Sequence, residues 1–447
     1  VSGPAAPGTA AHQGRDAVMG DRHGLPIPAD IEALRTAGLP FLNEAFRVFG
    51  ALAADNRVTR ITEFRECPGG STGRKLLLAV DYAQPAAGLR RELFVKFSRD
   101  FDDPIRDRAR TQMEREIAFA QLASAPGFPI AVPVCLYADY HRESGTGILI
   151  TERIAFGRER IEPHYDKCLD DALPDPLAHY EALLTSVARL AGAQRAGRLG
   201  ADVAERFAYD PALVTVGQRA PYTVQQLQNR VARYADFAER HPGLLPANIR
   251  APAFIAQLRD EVARFPAQEA AIRRQLEDDA ESSALCHWNA NIDNAWFWRH
   301  ADGHLECGLL DWGCVSLMNV AMAIWGALSG ARTQLWDDHL DALLALFVSE
   351  FRAAGGPALD VARLRQQLLR YVAIMGLAWL LDAPPYIRAQ VPELDEVRDR
   401  FDPRLRGNEV ARVQLQMLTN FLNLWQTRDF GSLLDDLPVV PNTAHLP

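Results

Sequence analysis

Lysine is what this sequence has least of: among its 48 Lys and Arg residues only Lys75, Lys96 and Lys167 are lysine. Where arginine is the default cation, a retained lysine points to a position that prefers a compact ammonium to a planar fork. An excess of positive charge is also missing. The 447 residues carry a formal net charge of −9, which argues against nucleic acid as a partner, because phosphate contacts need clustered positive charge. Long hydrophobic runs are missing too. The longest, Val372 to Leu381, is about half of the ~20 residues that a bilayer-spanning helix needs, so no membrane partner is expected. The six cysteines include no CxxC pair, and a chain of this length buries a sizeable core without staples. With no charged-then-apolar leader in sight, the reading is a cytoplasmic protein whose thiols are packing groups.

What remains is an ordinary globular balance of 48% hydrophobic and 23% charged residues, enough for two or three domains. Residues 1–22 are small, polar and aperiodic and read as a disordered tail. Residues 23–154 read as a small α+β lobe. It opens with a helical preface marked by Ile31, Leu34, Leu39, Phe46 and Phe49 and interrupted near Gly38-Leu39-Pro40. Strands follow at 58–66, 75–82 and 92–97, then a helix at 110–122, then strands at 132–140 and 147–154. Residues 155–447 read as a mainly helical lobe, with helices near 252–279, 334–353, 358–382 and 409–426. One hairpin interrupts them, 295–300 and 304–310 joined by Ala301-Asp302-Gly303.

The residues that could carry chemistry bracket that hairpin. His287-Trp288-Asn289-Ala290-Asn291-Ile292-Asp293-Asn294 precedes it, and Asp311-Trp312-Gly313 follows. The amide of Asn294 and the carboxylate of Asp311 are oxygen donors of the kind Mg²⁺ prefers, and the ion would in turn hold phosphate oxygens. Upstream lie the turn sequence Gly69-Gly70-Ser71-Thr72-Gly73, Lys96 in the third strand, and Glu116 in the next helix with Glu114 as its rival. Two further patterns have plainer readings. Asp337-Asp338-His339-Leu340-Asp341 looks like a diphosphate-binding DDxxD, but Trp336, Leu340, Leu343 and Phe347 form the apolar stripe of that helix and leave the aspartates on a solvated face. Trp288, Trp296, Trp298, Trp312 and Trp325 read as packing around the hairpin, or as an aromatic-lined acceptor pocket.

Taken in order, these residues resemble the aminoglycoside phosphotransferase and choline-kinase-like family, including its ecdysteroid-kinase-like members, over residues 50 to 315. The family's loop reads His-x-Asp-x-x-x-x-Asn, with a metal-binding Asp after a short hairpin. The resemblance implies a two-lobed, protein-kinase-like α+β fold, with a small five-stranded N-lobe and a large, mainly helical C-lobe. It implies ATP and Mg²⁺ as cofactors and a small molecule as substrate. Gly70, Ser71 and Thr72 would then cover the phosphates, Lys96 would reach them with Glu116 as its ion-pair partner, and Glu152 and Ile154 would stand at the hinge beside adenine. Asn294 and Asp311 would be the metal ligands, and His287 would hold the catalytic loop.

One departure is as informative as the matches. Asn289 stands where the family has the Asp that accepts the acceptor proton, and an amide cannot take that proton; Asp293, four residues on, is the alternative base. A general base contributes ~10²–10⁴-fold, whereas phosphoryl transfer depends mainly on positioning and charge stabilisation. The sequence therefore supports two readings: an ATP- and Mg²⁺-dependent phosphotransferase acting on a hydroxyl of a small molecule, or a pseudokinase whose cleft is catalytically dead or repurposed.

Overall fold

The computed structural model describes residues 17–67, 73–104, 106–210 and 222–435. They divide into two compact units, residues 1–155 with 310–315 and residues 156–309 with 316–447. The turn that carries Asp311 thus groups with the first unit, although the sequence reading places it in the helical lobe.

The first unit opens with β1 (Ala17–Met19) and β2 (Pro26–Pro28), paired antiparallel. Residues 17–22 therefore correct the tail reading. Their backbone is tied down by a buried carboxylate: Asp139 accepts from the Arg22 and His23 amides at 3.1 and 3.0 Å, while the Asp21 amide donates to the Tyr140 carbonyl at 2.9 Å. Residues 1–16 lie outside the described residues.

The main sheet is antiparallel and contains β3 (Val58–Cys67), β4 (Lys75–Tyr82), β5 (Glu92–Phe97), β6 (Cys135–His141) and β7 (Thr146–Glu152), in the order β3-β4-β5-β7-β6. Side chains alternate between its faces. Leu76, Leu78, Leu93, Val95 and Phe97 point to one face and form a core with α1 (Ile31–Phe49). That helix starts at an Asp30 cap and kinks at Gly38, where φ is 51°, two residues before Pro40. The opposite face packs Ala138, Tyr140 and Leu149 against Met113 and Ile117 of α2 (Arg106–Ala123). Lys96 lies between Val95 and Phe97 in β5 and opposite Leu149 in β7, so the alternation puts it on the α2 face.

The second unit is mainly helical. Its α3 (Pro176–Arg195) is buried along much of its length, as are the helices at 320–328, 333–353, 361–378 and 409–427. The expected helix at 252–279 is two, 252–262 and 265–277, and a helix at Val224–Arg240 has no counterpart in the sequence reading. β8 (Ser283–His287) leads into the candidate loop, and β9 (Ala295–Arg299) pairs with β10 (Leu305–Leu309) as a hairpin. β11 (Val315–Asn319) pairs with β8. No described helix is long and apolar enough to cross a membrane. The Val372–Leu381 run is instead buried core. On the 333–353 helix Trp336, Leu340, Leu343 and Phe347 are buried, while Asp337, Asp338 and Asp341 are exposed.

Candidate active site

Within the first unit a single cation is held between two carboxylates. The Lys96 ammonium lies 2.5 Å from Glu116 Oε2 and 2.9 Å from Asp311 Oδ1. Lys96 and Glu116 are both buried, whereas the Asp311 side chain is 36% exposed, so the triad has one open side. Burial alone disfavours the ammonium, but Asp311 and Glu116 overcome that penalty and hold Lys96 above its ordinary pKa. Burial pushes the Glu116 carboxyl up, against the pull of Lys96. Glu114 is not a competitor: it pairs with Arg142 at 2.8 Å on the surface.

Packing explains why Asp311 arrives there. Trp312, next in the chain, stacks on Phe119 of α2 with ring centroids 3.7 Å apart, and Gln112 of the same helix reaches Cys314 at 3.8 Å. Asp311 itself is left-handed, with φ at 63°. A non-glycine residue in that region costs of order 1–3 kcal/mol and persists where its surroundings fix it. The helix that supplies Glu116 thus also seats the turn that supplies Asp311.

Other expected nucleotide residues fare differently. Gly70, Ser71 and Thr72 lie outside the described residues. Glu152 ends β7, but its carboxylate is engaged, 2.6 Å from the Arg90 guanidinium and accepting from the Val134 amide at 2.9 Å. Its backbone is engaged too, the amide donating to the Val134 carbonyl at 2.8 Å and the carbonyl accepting from the Thr151 hydroxyl at 3.1 Å. Ile154 follows the strand, half-buried.

The 287–294 loop of the second unit is built from amides. His287 is buried, and its Nδ1 accepts from the Asn289 backbone at 3.1 Å, which fixes the loop. Asn294 donates its side-chain nitrogen to the Asn289 carbonyl at 2.8 Å, so oxygen is the atom left to offer a cation. Asn289 Oδ1 accepts from Asn291 Nδ2 at 2.6 Å and from Lys167 Nζ at 3.5 Å. Asp293 accepts at its main-chain oxygen from His164 Nε2 at 3.0 Å, while its buried Oδ1 has no hydrogen-bond partner. Behind the loop, a Cβ on Gly326 would collide with the Trp288 carbonyl, so only glycine lets the 320–328 helix pack this closely. The Trp288 indole donates to the Tyr371 hydroxyl at 2.7 Å. Trp288 and Trp298 are half-buried and Trp296 and Trp325 buried, within the packing of the second unit.

Among the described residues no group of three or more His, Cys, Asp or Glu side chains could hold a metal ion. Asn294 of the second unit and Asp311 of the first each carry a side-chain oxygen donor. Lys167, which the sequence marks only by the rarity of lysine, meets Asn289 in this loop.

A five-stranded sheet with a central-strand lysine, paired to a carboxylate of the helix that follows, is the small-lobe arrangement of protein-kinase-like folds. No family model matches the chain, and no curated protein matches it. Among solved structures it is similar to choline kinase from Cryptosporidium parvum, at 10% identity over 84% of this chain and 91% of that one, with a TM-score of 0.43. It is similar to an aminoglycoside phosphotransferase, APH(2")-IIia, solved with GDP and kanamycin, at 14% identity over 81% and 95% with a TM-score of 0.39. It is also similar to an ethanolamine kinase from Plasmodium vivax, at 14% identity over 80% and 81% with a TM-score of 0.39. The fold is α+β, and its five-stranded sheet with the buried Lys96–Glu116 pair is the feature that makes it protein-kinase-like; the three solved structures named are small-molecule kinases.

Proposed function

We propose that this protein is an ATP- and Mg²⁺-dependent phosphotransferase acting on a hydroxyl of a small molecule. The observation that carries the reading is the Lys96–Glu116–Asp311 triad. A buried ammonium held by two carboxylates is a costly arrangement for stability alone. It makes chemical sense where phosphate oxygens take part of the lysine's hydrogen bonding and a cation takes the exposed Asp311 oxygen. Bound Mg²⁺ would neutralise phosphate charge. For its part the chain positions the phosphates through Lys96 and holds the 287–294 loop rigid through His287, Asn291 and Asn294.

Asn289 favours a second reading, the repurposed cleft. Its oxygen is occupied by Asn291 and Lys167 and can accept no proton from a substrate hydroxyl. Thermal unfolding with ATP or GTP, with and without Mg²⁺, separates the two, because a ligand of the native state raises stability by RT ln(1 + [L]/Kd). Nucleotide binding that depends on Mg²⁺ and loses that dependence in Asp311→Ala supports the phosphotransferase. Indifference to every nucleotide supports the repurposed cleft.

A further inference from the structure

The second unit fixes the backbone and stem of Lys167, and among the described residues it gives the ammonium no counter-charge. Arg412 Nε donates to the Lys167 carbonyl at 2.9 Å. Cys168 follows in the left-handed region, with φ at 61°, a strained placement for a non-glycine residue. The lysine stem and the Cys168 sulfur both lie against Gly330, where an added Cβ would come within 3.3 Å of each. So fixed, the ammonium makes one long hydrogen bond, to Asn289 Oδ1 at 3.5 Å, and among the described residues no carboxylate pairs with it.

The carboxylates of its own segment are committed elsewhere. Asp170 accepts from the Tyr180 hydroxyl at 3.0 Å and the Arg332 amide at 2.8 Å. Asp171 pairs with Arg406 at 2.6 Å and Arg332 at 3.3 Å, and Asp166 lies 3.7 Å from His164. Asn289 adds to the imbalance. Because its oxygen accepts from both Lys167 and Asn291, its NH₂ remains a donor, and no hydrogen bond from it is made within the described chain. Two adjacent donors, one charged and neither answered by a hydrogen-bond acceptor of the described chain beyond Asn289 itself, fit an oxyanion, although the Asp293 carboxylate stands in the same loop.

Resting on the phosphotransferase reading, we infer that the acceptor is a hydroxyl compound bearing an anionic oxyacid group, carboxylate or phosphate, and that Lys167 with the Asn289 amide binds that group. The substitution that removes the base thereby serves recognition, since an aspartate at 289 would both neutralise Lys167 and repel the anion.

The test measures ADP release and calorimetric binding with glycerate and glycerol 3-phosphate as anionic probes, and glycerol and choline as neutral and cationic ones. The anionic probes should bind and the others should not. Lys167→Gln should raise the KM for the anionic probe at least tenfold while the nucleotide-induced thermal shift persists, and Lys167→Arg should restore most of the loss. Preference for glycerate over glycerol 3-phosphate, or the reverse, identifies the source of the charge. Binding of choline or glycerol without either anion, or anion binding indifferent to Lys167→Gln, overturns the inference while leaving nucleotide binding intact. Should no nucleotide bind, the phosphotransferase reading fails by itself. Calorimetry with the anions alone then still decides: Lys167-dependent binding supports the anion site, and its absence removes it.

Discussion

The two units handle charge in opposite ways. In the first, one ammonium is matched by two carboxylates, all within hydrogen-bond distance, and the partner helix is packed to keep them there. In the second, the 287–294 loop sets neutral amides against one another, and the nearest ammonium has no carboxylate. On the proposed phosphotransferase reading the triad depends on charge balance and must be kept as a set, whereas a base that takes one proton could be lost with a fall in rate alone, because positioning and electrostatics carry the larger share of phosphoryl transfer. The difference teaches which of the two arrangements could change without dismantling the other.

The most damaging change should be Lys96→Met. It should abolish nucleotide binding and also destabilise the fold by about 3–5 kcal/mol, since removing one partner leaves buried Glu116 unpaired. Adding Glu116→Gln should recover much of that stability, read by chemical denaturation, without recovering the nucleotide. Recovery of binding in the double variant would mean that the pair is structural only and would erase the contrast between the units.

Asn289→Asp tests the other side. If the loop keeps its geometry, kcat should rise, within the ~10²–10⁴ that a general base contributes. Lys167 would pair with the new carboxylate and depress its pKa, which holds the gain toward the lower end, and KM for an anionic acceptor should rise. Asp293→Asn should change kcat little. Loss of activity in Asp293→Asn, with Asn289→Asp silent, would transfer the role of base to Asp293 and its unpartnered oxygen.

The main-sheet strands and the two helices of the first unit were legible because their signals are local: alternation in β4 and β5, a glycine before a proline in α1, turn residues between strands; the short β1–β2 pair, held by Asp139, was not. Glu116 could be named but not separated from Glu114: two residues apart on a helix they point about 200° apart, and docking decides which of them faces inward. What settled it was tertiary, the apolar Met113 and Ile117 face that turns Glu116 inward and leaves Glu114 to Arg142. The Val224–Arg240 helix had a readable start, the Thr223–Gln226 capping box, and a stripe of Leu227, Val231, Tyr234 and Phe237. It was missed because the preceding stretch breaks the pattern. Lys167 was visible as a rarity, but its neighbour Asn289 lies 122 positions away. No local pattern could join them.

A smaller effect concerns the brace that carries the hairpin. Glu162 accepts from His179 Nε2 at 2.7 Å and the Tyr165 hydroxyl at 2.9 Å, and it pairs with Arg299 of β9 at 3.3 Å. Burial pushes its carboxyl up, but the hydrogen bonds from His179 and Tyr165 pull it below the ordinary 4.5. A depressed carboxylate adds stability that is present above its unfolded pKa and lost as pH falls through the folded value. Glu162→Gln should therefore be less stable than the parent at neutral pH, and the gap should close only as pH falls below the ordinary carboxylate value and through the lower folded value of Glu162. A gap that persists into acid would assign the brace to packing instead of charge.

The smallest effect expected is also the sharpest control on the comparison. Glu114 and Glu116 are two positions apart on α2, yet Glu114 pairs with an Arg142 side chain that is 79% exposed while Glu116 is buried beside Lys96. An exposed pair contributes about 0–1 kcal/mol, because water screens the attraction and two long side chains must be held still. Glu114→Gln and Arg142→Gln should each shift stability by no more than that and leave nucleotide binding untouched. Glu116→Gln, the same chemical change made two residues away, should weaken nucleotide binding through loss of the Lys96 anchor. Equal effects on binding from the two glutamates would mean that the charge of the helix matters and not the aim of one side chain, and the triad would lose its claim to be the phosphate-positioning device.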